Sequence, residues 1–512
     1  MAEEPAADYI DPSPPSELPQ KKRRYGRMFL HAFLGLWVAV ALWNLYKPLP
    51  DGMSVRGPIV ETPLEQLEFL ADVTGADPFG ASVARQQIFD AVLRSIGIAR
   101  EFLVLDFFLF NEQNGALSGT RQHRALSSEL RDALLQRKRE VPGLRVLVLA
   151  DPINDVYGSL PSRLFADLEG AGIDVVRIDL DALRDSNPIY SSLWRITTKW
   201  WSGDGGGDAW LPNPLDAGPT EVSFGAWARL LNFKANHRKV IIGDDGAGGI
   251  TGIVASANAH DASSMHSNVA LRLSGAAIVP LLESELALAR EAGWHGEWPQ
   301  VAPAPLAIVN PAAVARVQVL TEGEIGAAIL RNLGSTRAGD GIDIAMFYLS
   351  EREIVDALIA AARRGVTVRV LLDPNKDAFG RQKSGIPNRS VASELATAAD
   401  GAIKVRWFRT HGEQFHTKLV ALRGANEFWF TLGSANLTRR NLGDYNLEAN
   451  IAAGVPLNSD IAVAISAWFN SLWTNRGPPP FEYTADVGAY ADPAQGTYWL
   501  YRLMEATGLS TF

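Results

Sequence analysis

The sequence predicts an α/β protein of two duplicated lobes, preceded by a single transmembrane helix. Three observations predict it: an apolar run near the N-terminus, a strand–helix pattern that recurs in the same order in both halves, and two copies of a short motif, His-x-Lys followed by Ser-x-Asn. The 512 residues exceed one ordinary core, and 47% hydrophobic content belongs to folded proteins. The net charge of −9 argues against a general nucleic-acid binder, so no nucleic-acid partner is expected. The absence of cysteine excludes disulfides and thiol-ligated metals.

Residues 1–27 read as a disordered cytoplasmic tail, rich in Pro, Glu, Asp and Ser and ending in the basic stretch KKRRYGR. From Met28 to Tyr46 the chain reads MFLHAFLGLWVAVALWNLY, close to the ~20 apolar residues that a bilayer-spanning helix needs. Lys21, Lys22, Arg23, Arg24 and Arg27 precede this run, whereas only Lys47 and Arg56 follow closely. That asymmetry keeps the N-terminus cytoplasmic and puts the large domain on the extracytoplasmic side of the cell (inner) membrane. The following WNLYKPLP lacks a small-x-small cleavage site, so the run reads as an anchor at 28–46 and not a signal peptide. His31 is tolerated near its edge.

The first lobe, 60–300, opens with the strand-like FLVLDFFLF, the helical ALSSELRDALLQRKRE and the apolar run LRVLVLADPINDVYG. The second lobe, 305–477, repeats the order with IDIAMFYLS, EREIVDALIAAARRG and VTVRVLLDPNKDAFG. Each β-branched run ends in DPxxDxxG, a turn after a buried strand. A further helix and strand follow in each half: RLFADLEGAGIDVVRID and VASELATAADGAIKVRWF. The alternation predicts a mixed or parallel sheet with helices on its faces, twice. The first half carries extra residues at about 180–230, rich in Trp, Gly and Pro; a segment this long beside a motif reads as a lid or rim. Its Trp194, Trp200, Trp201, Trp210 and Trp227 are candidates to touch lipid, and its GDGGGD is a flexible loop. The tail, 478–512, is expected to pack back as a short helix.

The motifs carry the chemistry. HRKVIIGD and HTKLVALR place His237 with Lys239 and His416 with Lys418 on one face of a strand, because side chains alternate. Ser256 with Asn258 and Ser434 with Asn436 follow on turns. Two such sets around one point suit a phosphodiester: lysines neutralise the non-bridging oxygens, Ser and Asn donate hydrogen bonds to them, and the histidines serve as nucleophile and acid. This chemistry requires no metal and no cofactor. Asp151 and Asp373, at the DP turns, either join the site or form the turn. His260, His266 and His411 read as structural or rim residues, and the clusters ARR, RTH and LTRRN as solvated faces.

These residues resemble the phospholipase D superfamily, the His-x-Lys-x4-Asp enzymes, over about residues 60–475. That family includes phospholipases D, cardiolipin and phosphatidylserine synthases, nucleases and tyrosyl-DNA phosphodiesterases. The resemblance implies that both copies meet in one active site at the interface of the two lobes, that His237 forms a phosphohistidine, that His416 protonates the leaving oxygen and then activates water or an alcohol, and that an acid downstream of each asparagine orients the histidine. Glu448 stands there in the second half, beside His416 in this reading, and Asn268 in the first half, beside His237. The motif's aspartate is Asp244 in the first copy, where it supports the loop, and is replaced by Arg423 in the second. Ala255 replaces the usual Gly before Ser256, and both serines follow their histidines at longer than the family's usual spacing. The implied function is a phospholipase D-type phosphodiesterase or phosphatidyltransferase acting on membrane phospholipids. The alternatives are a nuclease or other phosphodiesterase of the same superfamily, or a non-catalytic phosphate-binding member.

Overall fold

The structure, a computed structural model, describes residues 20–76, 82–113, 115, 123–200, 207–216, 218–301, 313–476, 482–490 and 495–510. The disorder expected for the first residues and for most of GDGGGD, and the place of Trp201, lie outside the described residues.

Two mixed sheets form the body. One has eight strands in the order Ser82–Arg85, Leu67–Ala76, Asn268–Ser274, Ile250–Ala255, Lys239–Asp244, Phe102–Phe107, Arg145–Ala150, Asp174–Arg177. The other has nine: Val60–Pro63, Val314–Thr321, Ala449–Val455, Phe428–Gly433, Lys418–Arg423, Gly341–Met346, Thr367–Leu372, Ile403–Phe408, Thr484–Asp486. From Leu67–Ala76 and Val314–Thr321 onward the two orders match strand for strand, with the same pattern of antiparallel and parallel neighbours. The parallel strands run into helices at Leu126–Glu140 and Arg163–Gly170 in the first half, and Arg352–Arg363 and Asn388–Thr397 in the second.

Strand alternation builds three apolar layers. In Phe102–Phe107 the side chains of Leu103 and Leu105 face the first half's helices, whereas Phe102 and Val104 face the other sheet. In Gly341–Met346, Ile342 and Ile344 face the second half's helices and Ala345 faces the first sheet. The sheets therefore pack face to face and the helices cover their outer sides. Residues from both ends of the chain complete the second sheet: Val60–Pro63 pairs with Val314–Thr321, and Thr484–Asp486 pairs with Ile403–Phe408. The C-terminal residues thus contribute a strand as well as the helix Gln495–Thr507.

The N-terminal helix runs from Gln20 to Tyr46, and its Arg24–Tyr46 portion is long and apolar enough to cross a membrane. Its second half docks on the insertion: Trp37 Nε1 donates to the Ile189 carbonyl (3.2 Å), Asp185 N to the Asn44 carbonyl (2.9 Å) and Lys47 Nζ to the Asp181 carbonyl (2.6 Å). Of the insertion's tryptophans, Trp200 and Trp210 are exposed. Trp194 is buried against Arg195, Lys199 and Arg229, so it packs inside instead of meeting lipid, and Trp227 Nε1 is held by the Pro212 carbonyl.

Candidate active site

Both His-x-Lys segments open one cavity of about 370 Å³, whose wall includes His237, His416, Asn258 and Asn436. The halves meet there by backbone pairing. His237 N donates to the Leu447 carbonyl (2.9 Å) and Leu447 N to the Ala235 carbonyl (3.0 Å). In the mirrored contact, Ser267 N donates to the Gln414 carbonyl (3.0 Å). Each segment that delivers a histidine therefore lies beside the residue that precedes the other half's orienting group.

This pairing corrects the expected partners. His237 Nδ1 donates to both oxygens of Glu448 (2.9 and 3.0 Å), and His416 Nδ1 lies 3.2 Å from Asn268 Oδ1. Sequence order had joined Glu448 to His416 and Asn268 to His237; the bridges at 447 and 267 exchange them. A carboxylate only accepts, so His237 carries its proton on Nδ1 and leaves the Nε2 lone pair free.

The serines stand elsewhere than expected. Ser256 Oγ donates to Asn268 Oδ1 (2.9 Å) and accepts from Val269 N (3.0 Å); Ser434 Oγ donates to Glu448 and accepts from Ala449 N (3.0 Å). Both are fully buried and committed, so they hold the group that holds the histidine and do not face a substrate phosphate. Asn258 Oδ1 accepts from Leu109 N (3.4 Å), and Asn436 Oδ1 is buried without a partner.

Each lysine folds back on its own motif. Lys239 Nζ donates to the His237 carbonyl (2.5 Å) and Lys418 Nζ to the His416 carbonyl (2.9 Å). They lie over the rings of Phe108 (5.1 Å) and Phe347 (5.3 Å), which also pack on His237 and His416. Burial lowers Lys239 to about 7. Burial and then Lys239 hold Lys418 well below its usual range. Burial takes His237 down to about 4 against the pull of Glu448. His416 is held well below 6.5 by burial and then by Lys418, with no carboxylate opposing. Burial opposes the charge of Glu448, yet His237, Lys239 and the Ser434 hydrogen bond keep its carboxyl below the usual range. Burial and mutual repulsion thus disfavour the charged forms of these lysines and histidines, and an anion bound among them would favour those forms.

The DP aspartates act as clamps. Asp151 accepts from Ile153 N (2.7 Å) and from Asn236 N (2.6 Å), the residue before His237. Asp373 accepts from Asn375 N (2.6 Å) and from Phe415 N (2.7 Å), the residue before His416. They form the turn and position the motif with the same carboxylate. Asp244 sits at the far end of its strand, accepting from the backbone of Arg100, Glu101, Phe102 and Gly246. Arg423 bonds Ser466 Oγ (2.6 Å) over the ring of Phe428. His260 is tied to Ser263 (2.7 Å) and the Gln113 carbonyl (2.5 Å), while His266 lines the cavity beside His416.

Two features escaped the sequence reading. Arg238, between His237 and Lys239, is fully buried and donates to Glu285 (3.1 Å) and Glu322 (2.7 Å), and Glu322 accepts from Glu448 N (3.0 Å). Arg440, expected on a solvated face, is buried and lines the cavity. The first had a signal, an arginine strictly inside a buried strand motif; the second had none beyond its nearness to Asn436.

The family model described as cardiolipin synthase, phospholipase D-like domain, matches residues 329–473, which hold His416, Lys418, Asn436 and Glu448. The fold is similar to phosphatidylserine synthase from Haemophilus influenzae Rd KW20, at 13% identity over 92% of this chain and 99% of that one, with a TM-score of 0.53. Polyphosphate kinase from Porphyromonas gingivalis aligns at 12% identity over 88% of this chain and 56% of that one, with a TM-score of 0.41. A phospholipase D family member from Salmonella typhimurium aligns at 19% identity over 34% of this chain and 97% of that one, with a TM-score of 0.26. No curated protein matches the sequence. The second half thus matches a phospholipase D-like domain, within a chain that has this fold and brings both His-x-Lys motifs to one cavity.

Proposed function

We propose that the protein is a membrane-anchored phospholipase D-type phosphodiesterase or phosphatidyltransferase acting on phospholipids, built from two duplicated lobes. The observation that carries the reading is the crossed pair His237–Glu448 and His416–Asn268 at one cavity. His237 Nε2 attacks phosphorus and the bond to the headgroup oxygen breaks; Glu448 stabilises the positive imidazole of the phosphohistidine. The leaving alkoxide takes a proton from His416. A neutral Asn268 holds an imidazolium less firmly than a carboxylate does, which makes His416 the stronger acid. His416 then removes a proton from water or an alcohol, which attacks phosphorus and releases His237. Lys239, Lys418, Asn258 and Asn436 receive the phosphate oxygens.

A lipid substrate is favoured over a nucleic acid by the route from the anchor to the site. The N-terminal helix bonds the insertion helix Pro188–Ile196, whose Tyr190 hydroxyl donates to the Ala228 carbonyl (2.8 Å) of the helix Phe224–Leu230. Part of the cavity's apolar wall, Leu215 and Leu230, comes from this same insertion, and Phe108, Leu109, Ile153, Phe347 and Phe379 complete it from the two halves. Headgroup release from phosphatidylethanolamine or phosphatidylglycerol, or cardiolipin formation, is the test: His237→Ala and His416→Ala are each expected to lose at least ~10²-fold. Near-normal rates in both variants would overturn the reading, and His237-dependent cleavage of single-stranded DNA would replace the substrate.

A further inference from the structure

The wall of the cavity carries three cations, Lys234, Lys383 and Arg440, and among the described residues no carboxylate. Lys234 is neutralised by Asp185 at 2.5 Å. The other two have no carboxylate partner among the described residues. Arg440 is buried; it donates to the Ser510 carbonyl, lies 5.5 Å from the Phe233 ring, and its Nε has no hydrogen-bond partner among the described residues. Lys383 is half-buried; it donates to the Tyr348 hydroxyl and lies 4.8 Å from that ring and 5.9 Å from the Phe347 ring. The nearby Asp373 carboxylate is already taken by the backbone of Asn375 and Phe415. Burial lowers Arg440 to about 10, as befits a cation with nothing to balance it.

The position of this pair says which part of a substrate it meets. Phe347 packs on His416 with ring centroids 4.9 Å apart, and Tyr348 is its neighbour. Lys383 therefore stands on the side of the cavity where His416 delivers and removes protons, and Arg440 lines the same cavity as an electrostatic neighbour of Tyr348. On the proposed mechanism that side holds the alcohol that leaves or enters, and the diacylglycerol portion lies elsewhere. A buried, unpaired cation is costly unless a ligand supplies the counter-charge, and an arginine fork beside a lysine suits a carboxylate or phosphate.

We propose that Arg440 and Lys383 form a second anion subsite, which binds a negatively charged group (a carboxylate or a second phosphate) on the alcohol transferred at phosphorus. This rests on the phospholipase D-type reading above. Two sources share that chemistry: the headgroup of the lipid being cleaved, and a free alcohol that accepts the phosphatidyl group.

The full chain in mixed micelles separates them. In the first arm, hydrolysis of phosphatidylserine is compared with that of phosphatidylethanolamine, whose headgroup lacks the carboxylate. Arg440→Gln and Lys383→Gln are expected to lower kcat/KM at least tenfold for the serine lipid and less than twofold for the ethanolamine lipid. In the second arm, phosphatidylethanolamine is cleaved with glycerol or sn-glycerol 3-phosphate as acceptor, and the variants are expected to lose transfer to the phosphate-bearing acceptor alone. A selective loss in the first arm assigns the subsite to the leaving headgroup, and in the second to the acceptor. Equal behaviour of wild type and both variants in both arms overturns the subsite and leaves the phospholipase D reading intact. If the wild type turns over no lipid, that reading fails, and calorimetric binding of sn-glycerol 3-phosphate decides the subsite separately: tenfold weaker binding in the variants upholds it, unchanged affinity refutes it. Lys383 is half-exposed, so Lys383→Gln keeps the test valid if Arg440→Gln does not fold.

Discussion

Replacing Glu448 by Gln changes the site by one atom and one charge. The carboxylate is fully buried and accepts from three donors on its two oxygens, His237 Nδ1 (to both), Ser434 Oγ and Asn441 Nδ2, while its own backbone is held by Glu322. A carboxamide keeps one accepting oxygen and turns an NH₂ toward at least one of these donors. The bond to His237 loses its charge assistance, and on the proposed mechanism the phosphohistidine loses its counter-ion. A hydrogen bond to a charged group contributes ~1.5–3 kcal/mol, and 1.36 kcal/mol is tenfold in rate, so kcat is expected to fall about 10- to 150-fold. KM should change less than about twofold, because Glu448 lies behind His237 and is absent from the cavity wall. Initial rates of headgroup release across a range of lipid concentrations measure both, with Tm as the check on folding. A folded Glu448→Gln enzyme with wild-type kcat, or with its loss confined to KM, would refute the assignment of His237 as the group that attacks phosphorus.

Asn268→Asp puts a carboxylate beside His416. An opposite charge at this range raises a histidine pKa by ~1–3 units. The acid must be protonated to act, so kcat/KM falls as pH rises past its pKa; the variant's descending limb should move to higher pH, and an unmoved limb between pH 5 and 9 would show that His416 is not the acid. Asp244→Ala strips the acceptor from four backbone N–H groups at the strand end remote from the cavity. Stability should fall by at least ~2 kcal/mol in denaturant titration, with kcat unchanged. Arg238→Met leaves Glu285 and Glu322 buried without their cation and is expected to cost ~3–5 kcal/mol; a Tm equal to wild type would show that these carboxylates are neutral in the fold.

The strands Arg145–Ala150 and Thr367–Leu372 were legible because each is an apolar, β-branched run ending at a DP turn, a local pattern that survives without any alignment. Both motifs were legible for the same reason: alternation along a strand fixes which side chains share a face. The roles of Ser256 and Ser434 were not. A serine near a catalytic histidine donates equally well to a substrate or to a neighbouring side chain, and only the fold shows that Asn268 and Glu448 take the bond. Arg440 was hidden by composition, since LTRRN reads as a surface turn until the chain around Ser510 closes over it.

The exchange of partners between halves was illegible for a deeper reason. Periodicity reports what happens within one strand or helix; which half supplies the neighbour depends on backbone bridges between segments far apart in sequence, at Asn236–Leu447 and Ser267–Phe415. Once those bridges are in place, an irregularity in one motif acts on the other. Asn268 belongs to the half with the complete His-x-Lys-x4-Asp pattern, yet it governs the histidine of the half that lacks the aspartate. Arg423, the visible departure, lies on a residue that bonds Ser466 and touches neither histidine. The completeness of each copy is therefore a poor guide to which histidine does what. The better guide is the difference between the two orienting groups: on the proposed mechanism a carboxylate suits the histidine that bears phosphorus as a cation, and an amide suits the one that gives its proton away.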